Sequence, residues 1–312
     1  MVRELSISIP WFSLFDGTAY ELLFDYMGET SSLPLARKLH ITIGNGVGEP
    51  DYMNNNAIDN ALMLAQFLRS LAPAATLVDV KHEGAVFQLC EFGEKLLADF
   101  IKSVYDNTQQ TKLDLREVDF KHTFAIDIIP PLTSLKVYCN STYNVHIGLA
   151  LKCADTLLEL EVEMENSKAL FYDADGNVVA YPNLRHLQLL ASSPDKPADR
   201  NVPGYIVPFP TLRKLVMPYE YPLGDDMLFR GNSATLEHLD TAFDSNDVTM
   251  LNKYRVFESK HKVLRIVCIR VVDLSNIPET ETSKLLGNML ETVQILYVDT
   301  DLLVSRLIAA AQ

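Results

Sequence analysis

Four cysteines, Cys90, Cys139, Cys153 and Cys268, are all that the 312 residues hold, and no two stand at C-x-x-C spacing. Such scarcity and scatter argue against a disulfide framework and against a cysteine-built zinc site, and they fit a reducing compartment, the cytoplasm or the nucleus. Basic residues are also in deficit: 27 Lys and Arg face 41 Asp and Glu, for a formal net charge of -14. Neutralising phosphates needs clustered Lys and Arg, so this balance disfavours nucleic acid as a partner. The acidity either keeps the chain in solution or complements a basic partner. Charges interrupt every apolar run well before the roughly 18 residues of a membrane span, and no basic segment followed by an apolar stretch opens the chain, so neither insertion nor secretion is expected. The formal glycosylation sequon Asn140-Ser141-Thr142 is then expected to go unused.

Catalytic signatures are equally scarce. The chain has no G-x-S-x-G elbow, no G-x-x-x-x-G-K-[ST] phosphate loop and no H-E-x-x-H. Gly44, Gly46 and Gly48 alternate without the spacing of a dinucleotide fingerprint and read as a strand-exit loop. Asp173 and Asp175 alternate like calcium ligands, but the next acidic ligand and the bidentate Glu are missing. The same stretch, 169–180, carries apolar residues on both sides of Asp175-Gly176, which predicts a β-hairpin. The expectation is a protein without catalytic residues, cofactor or metal.

What the sequence does have is 48% hydrophobic residues arranged in a recurring phrase. Tyr-Pro-Asn-Leu-Arg-His-Leu-Gln-Leu from Tyr181 returns as Phe-Pro-Thr-Leu-Arg-Lys-Leu-Val-Met from Phe209. Leu184, Leu187 and Leu189, then Leu212, Leu215 and Met217, follow the L-x-x-L-x-L spacing of leucine-rich repeats, whose last two apolar side chains share one face of a short strand. The looser phrase, apolar-x-x-apolar-x-apolar, begins at Val2, Ala36, Ala75, Leu115, Leu132, Leu157, Leu236, Val263 and Val293 as well, predicting eleven strands. Their middle residues, 5, 39, 78, 118, 135, 160, 187, 215, 239, 266 and 296, lie 34, 39, 40, 17, 25, 27, 28, 24, 27 and 30 apart. The step of 17 spans Pro130-Pro131, leaves no room for a helix, and marks one flanking assignment as doubtful.

Between these phrases, helical periodicity appears over Asn56 to Leu71, Ala85 to Tyr105 and Gly17 to Met27, the last with Leu22, Leu23 and Tyr26 as its apolar side. Shorter helical turns are expected at 145–153, 225–229, 247–256 and 283–290, and a closing helix at 302–311. The predicted fold is α/β: one open leucine-rich-repeat solenoid over 1–312, a horseshoe with a parallel concave sheet and irregular repeats of about 24 to 40 residues. Its helix-rich part is 1–125 and its loop-rich part 126–312. The Pro-rich segment Ser192 to Pro208 is expected to project between the two clearest repeats.

If the apolar phrase points inward, the intervening residues form two outward columns. The candidate protein-binding residues are Glu117, Asp119, Lys136, Glu159, Glu161, Glu163, His186, Gln188, Lys214, His238 and Asp240. Glu117, Asp119, Glu159, Glu161 and Glu163, interrupted by Lys136, read as an acidic stripe complementary to a basic protein surface, or as solvated charge on an unoccupied sheet. Further along, Val216, Val267, Ile269 and Ile295 are expected on the same face as an apolar patch, with Arg265 beside it.

Three stretches, Leu170 to Leu187, Phe209 to Leu215 and Gly224 to Leu239, resemble a multiplied group of fungal leucine-rich-repeat proteins. Those are similar in layout to F-box proteins with C-terminal repeats. The resemblance is densest over about 165–260. It implies a curved, non-catalytic receptor for a protein partner or, in the F-box case, the substrate-recognition subunit of an SCF-type ubiquitin ligase that also holds a ligase adaptor. No L-P-x-E-type helix cluster is present; Ser32-Leu33-Pro34-Leu35 echoes it and is followed by a predicted strand. An enzyme with a divergent site is the remaining alternative, and it predicts a deep pocket with convergent polar groups.

Overall fold

Alternation of apolar and polar residues with period two shapes the molecule into parallel strands, each followed by a return segment that carries the chain back to begin the next. The structure is a computed structural model that describes residues 2–11, 13–16, 18–27, 32–44, 56–83, 87–88, 91–116, 118–119, 124–139, 145–164, 170, 172–173, 175–190, 209–216, 235–243, 263, 265–271 and 295–298. The chain divides into two compact units, Met1–Cys153 and Ala154–Gln312.

In the first unit the strands are β1 (Glu4–Pro10), β2 (Lys38–Gly44), β3 (Leu77–Glu83), β4 (Phe87–Gln88), β5 (Gln110–Leu115), β6 (Val118–Asp119) and β7 (Ser134–Cys139). The order β1, β2, β3, β5, β7 makes one sheet, parallel throughout. The short β4 and β6 pair separately. The helices are α1 (Ser13–Asp16), α2 (Thr18–Met27), α3 (Ala57–Leu71), α4 (Glu91–Tyr105), α5 (Phe124–Ile128) and α6 (Val145–Lys152). Leu39, Ile41 and Ile43 of β2 and Val78 and Val80 of β3 are buried, as are Leu64, Leu68 and Leu71 of α3 and Leu97, Phe100, Ile101 and Val104 of α4. Burying such a side chain stabilises by about 1.5 to 3 kcal/mol.

Local signals set the helix ends. At the start of α3 the Asn56 carbonyl accepts the Asn60 N–H at 2.8 Å with no side-chain cap, and Ala72 leaves the helical conformation immediately before Pro73, which has no N–H to continue the ladder. The short α5 is closed from outside: the Lys152 ammonium, one residue from Cys153, donates to the carbonyl oxygens of Ile126, Asp127 and Ile129. Gly148 of α6 lies where a Cβ would come within 2.6 Å of Ile126 Cδ1, so its missing side chain brings α6 close to α5.

In the second unit β8 (Glu159–Met164), β9 (His186–Leu189), β10 (Lys214–Val216), β11 (His238–Phe243), β12 (Ile266–Val271) and β13 (Ile295–Val298) follow one another, each parallel to the next. Among its described residues there is no α-helix. Leu160, Leu187, Leu215 and Leu239 stand level and buried, and Leu157, Leu184, Leu212 and Leu236 are buried one turn earlier. Each clear repeat enters its strand through a turn closed by Leu184 N–H to Tyr181 O and Leu212 N–H to Phe209 O, with Pro182 and Pro210 at the position that favours proline. The Tyr181 and Phe209 rings stack at 5.3 Å, and the Tyr181 hydroxyl donates to Leu170 O. A polar ladder runs beside them: Asn183 Nδ2 donates to Asp155 O, Thr211 Oγ1 to Pro182 O and Thr235 Oγ1 to Pro210 O. Each of these residues immediately precedes the first leucine of its phrase, so a position the apolar pattern leaves free ties one repeat to the one before.

Nine of the eleven predicted strands take the expected frame, and two are shifted. The phrase Leu115, Val118, Phe120 is not the strand. β5 begins five residues earlier, and Leu113 pairs with Leu135. The apolar pattern missed it because the phrase ending in Leu113 and Leu115 would open at Gln110, which is polar; Thr111, level with Val78, is polar as well, and its hydroxyl donates to Pro131 O while Thr133 N–H and Oγ1 bond back to Thr111. The steps from Val80 to its level partner Leu113 and on to Leu135 are then 33 and 22 residues, and α5 occupies the return segment that seemed too short for a helix. In β12 it is Val267, not Ile266, that pairs with Leu239. That one-residue slip exchanges the faces: Ile266 and Cys268 stand beside His238 and Asp240, whereas Val267 and Ile269 stand beside Leu239 and Thr241. The frame expected for Val267 and Ile269 is corrected accordingly, while Arg265, just before the strand, is exposed.

Helix α4 starts at Glu91, because Phe87 and Gln88 form β4 instead. In α2 Leu22 is 70% exposed. The helix's inner side is built from the half-buried Tyr20 and Phe24, four residues apart, whose rings meet Phe67 at 5.7 and 6.0 Å. At β1, Val2 is 46% exposed, so the first phrase is less deeply covered than its successors. The hairpin is present as an antiparallel bridge between Tyr172 and Val178, with Gly176 at φ 80°. The Pro-rich segment Ser192 to Pro208, the sequon at Asn140, the helical stretches at 225–229, 247–256, 283–290 and 302–311, and Gly46 and Gly48 lie outside the described residues.

Candidate functional site

The outward positions of the second unit form two rows across its strands. Glu159, His186, Lys214 and His238 are level with one another, and Glu161, Gln188, Val216 and Asp240 make the next row. Glu163 continues the outward column of β8. All nine side chains are partly exposed, and the leucines between them point to the core. This arrangement follows from the repeated phrase: identical register from strand to strand, about 4.8 Å apart, stacks equivalent sequence positions side by side.

Electrostatics couples the first row. His186 holds its proton less tightly than an ordinary imidazole, first because it is half buried and then because the Lys214 ammonium lies beside it; Glu159 and Glu161 pull the other way. Burial also lowers His238, again with Lys214 adding to the effect and Asp240 opposing it. Among the described residues His186 Nε2 is buried without a hydrogen-bond partner, which a neutral ring tolerates better than a charged one. Near neutral pH the row therefore reads carboxylate, neutral imidazole, ammonium, neutral imidazole. The carboxylates of this face are gathered on β8, with Asp240 alone on β11.

The first unit's outward face carries charge differently. Glu4 and Lys38 form an ion pair, His40 Nδ1 lies 3.2 Å from Asp79 Oδ2, and Lys81 Nζ lies 2.6 Å from Glu83 Oε1. Asp114, with a side chain only 10% exposed, accepts hydrogen bonds from Arg116 Nε at 3.0 Å and Nη2 at 2.8 Å. The Lys38 ammonium bonded to Glu4 holds that carboxyl below its usual range. Lys136 stands level with Asp114 on this sheet, as expected of an outward residue.

Of the sequence-derived candidates, Glu159, Glu161, Glu163, His186, Gln188, Lys214, His238 and Asp240 share one face. Glu117 lies outside the described residues, and Asp119 belongs to β6, which pairs with β4 and not with the main sheet. The acidic stripe is thus Glu159, Glu161 and Glu163, and the outward places expected for Glu117 and Asp119 are taken by Lys112 and Asp114. Sequence reading missed Lys112, Asp114 and Arg116 because the phrase that ends in Leu113 and Leu115 would open at Gln110, which is polar; the signal that finds them is the Leu113-x-Leu115 pair. The hairpin carboxylate Asp173 accepts from the N–H groups of Asp175 and Asn177 and from Asn177 Nδ2. Those bonds, the Asn177 side chain foremost, lower its pKa and account for the aspartate as a turn residue.

Among the described residues no helix is long and apolar enough to cross a membrane, and no group of three or more His, Cys, Asp or Glu side chains is placed to hold a metal ion. Comparison of the chain with family models, with characterised proteins and with solved structures finds no match.

Proposed function

We propose that the parallel strands of this chain are the coils of an open leucine-rich-repeat solenoid, and that the protein is a non-catalytic binding module acting in the cytoplasm or nucleus. Its recognition surface is the outward sheet face of the second unit, and its partner is a protein that brings basic groups to β8. One observation carries the reading. In strands whose inward leucines are fully buried, the outward positions at identical register hold Glu159, Glu161 and Glu163 beside a row of His186, Lys214 and His238, a polar face the core does not need.

Conventional catalysis calls for convergent groups with matched proton affinities. The histidines of this face are instead spread along a row by strand spacing, one per strand, which suits an extended contact surface. The test is affinity capture from fungal extract with the wild-type chain and with a Glu159→Lys, Glu161→Lys, Glu163→Lys variant, read by mass spectrometry. Loss of specific partners by the variant supports the reading, and a ligase adaptor among the captured proteins assigns the chain to the F-box-like receptors. Unchanged partners, or none, exclude β8 as the recognition strand.

A further inference from the structure

The order of charges on this face sets the order of charges on what it binds. Three successive outward positions of β8 are carboxylates, Glu159, Glu161 and Glu163. Two strands away, at the level of Glu159, stands the Lys214 ammonium, with His186 between them. The potential along the row therefore changes sign between β8 and β10, as the opposite pulls of Glu159 and Lys214 on His186 also register. A uniformly basic partner would meet attraction over β8 and repulsion over β10. A partner with one cation and one anion at the matching interval gains at both.

That interval is two strand spacings, about 9.6 Å. In a fully extended β segment, residues on one side repeat every second position, about 6.6 Å or 13 Å apart, and neither distance fits. In a polyproline II segment, residues i and i+3 lie on the same side about 9.3 Å apart, which does fit.

We propose that the second unit binds a polyproline II segment laid across its strands, carrying a basic side chain at i and an acidic one at i+3, or the reverse order with the chain direction reversed. The basic group sits over Glu159 and Glu161 and the acidic group over Lys214. This rests on the reading of the face as a protein-binding surface and specifies the chemistry of its partner. Gln188 and Val216, which occupy the second row between Glu161 and Asp240, supply the neutral ground over which the two intervening residues pass.

The probes are three fluorescent Pro-rich peptides of equal length, one with Arg and Glu three apart, one with them adjacent, and one with two Arg three apart. Binding to the full chain is read by anisotropy. The first peptide should bind the wild type about fivefold or more tighter than the other two, the scale of one or two exposed charge pairs. Lys214→Glu should reverse the preference in favour of the two-Arg peptide, a gain that a misfolded variant cannot produce. Equal binding of all three peptides to the wild type, no binding, or a preference that Lys214→Glu leaves unchanged overturns the proposal. If the peptides show no preference while capture still depends on Glu159, Glu161 and Glu163, the charge order is wrong and the binding surface stands. If capture does not depend on them either, the surface reading falls with it.

Discussion

The two units build their outward faces from the same alternation of side chains and do opposite things with charge. In the first, opposite charges meet in contact, Glu4 with Lys38, Lys81 with Glu83 and Asp114 with Arg116, and His40 is hydrogen-bonded to Asp79. In the second, charge is sorted by strand, with carboxylates on β8 and the ammonium of Lys214 on β10. The exposed Arg213–Glu237 pair, at 3.6 Å, belongs to the strand entries and not to the two rows. Sheet stability needs only the inward residues to be apolar, so the outward ones can serve each other or serve a partner. Contacts between opposite charges lower the cost of a face in isolation, and carboxylates gathered on one strand give that strand a net field that a complementary chain can answer.

The backs of the sheets differ as well. The first unit buries its strands under α3 and α4, whereas the described part of the second relies on stacked Tyr181 and Phe209 and on the ladder of Asn183, Thr211 and Thr235. Both nevertheless depend on the level leucine positions. Leu39→Ala in the first unit and Leu215→Ala in the second should each cost about 2 to 5 kcal/mol in urea unfolding, since both side chains are completely buried. A loss below about 1 kcal/mol at Leu215 alone would mean that the second unit is packed less tightly than its register implies.

The paired face offers the next largest effect. Arg116→Met leaves the nearly buried Asp114 carboxylate without its guanidinium and should cost about 1 to 3 kcal/mol. Lys214→Met on the sorted face removes no ion pair among the described residues and should change stability by less than about 0.5 kcal/mol. Equal losses would erase the distinction between the two faces.

Thr211→Val, which deletes the hydroxyl donating to Pro182 O at 2.9 Å and Leu184 O at 3.1 Å, should cost about 1 kcal/mol. A neutral outcome would show that the ladder follows the repeat and does not help to hold it.

The smallest effect expected is one of pH. His82, His186 and His238 all have pKa values below the ordinary 6.5, with burial the leading cause in each. Below that value the unfolded chain binds more protons than the folded one, so the stability these residues permit is full above it and declines as pH falls through the lowered values. His186→Gln with His238→Gln should flatten that decline without removing it, because His82, 3% exposed in the first unit, still titrates. An unchanged slope would place the histidine effect in the first unit alone.

Much of this was legible in the sequence because one rule repeats. Leu184, Leu187 and Leu189 predict a strand, and the same phrase at Leu212 and Leu236 predicts its neighbours and their register. The frame failed where polar residues took the places of apolar ones, Gln110 at the opening of the phrase and Thr111 level with Val78, the latter satisfying its hydroxyl within the sheet entry. It failed again in β12, where two apolar frames overlap and only pairing with Leu239 chooses between them. The site followed the same division: the residues of β8 to β11 could be placed from spacing alone, while Asp119 was assigned to the wrong sheet because its strand was. Contacts between elements, such as Lys152 on the end of α5 or the rings of Tyr20 and Phe24 against Phe67, have no one-dimensional signature.

The central claim is that the sorted face recognises a partner and the paired face does not. The most direct measurement is quantitative affinity capture with two charge variants side by side: Glu159→Lys, Glu161→Lys and Glu163→Lys in the second unit, and the pair exchange Glu4→Lys with Lys38→Glu in the first. The account predicts that the first variant loses specific partners while the exchange retains them at wild-type levels. Partners that survive the reversal on β8 but disappear with the exchange at Glu4 and Lys38 would contradict it.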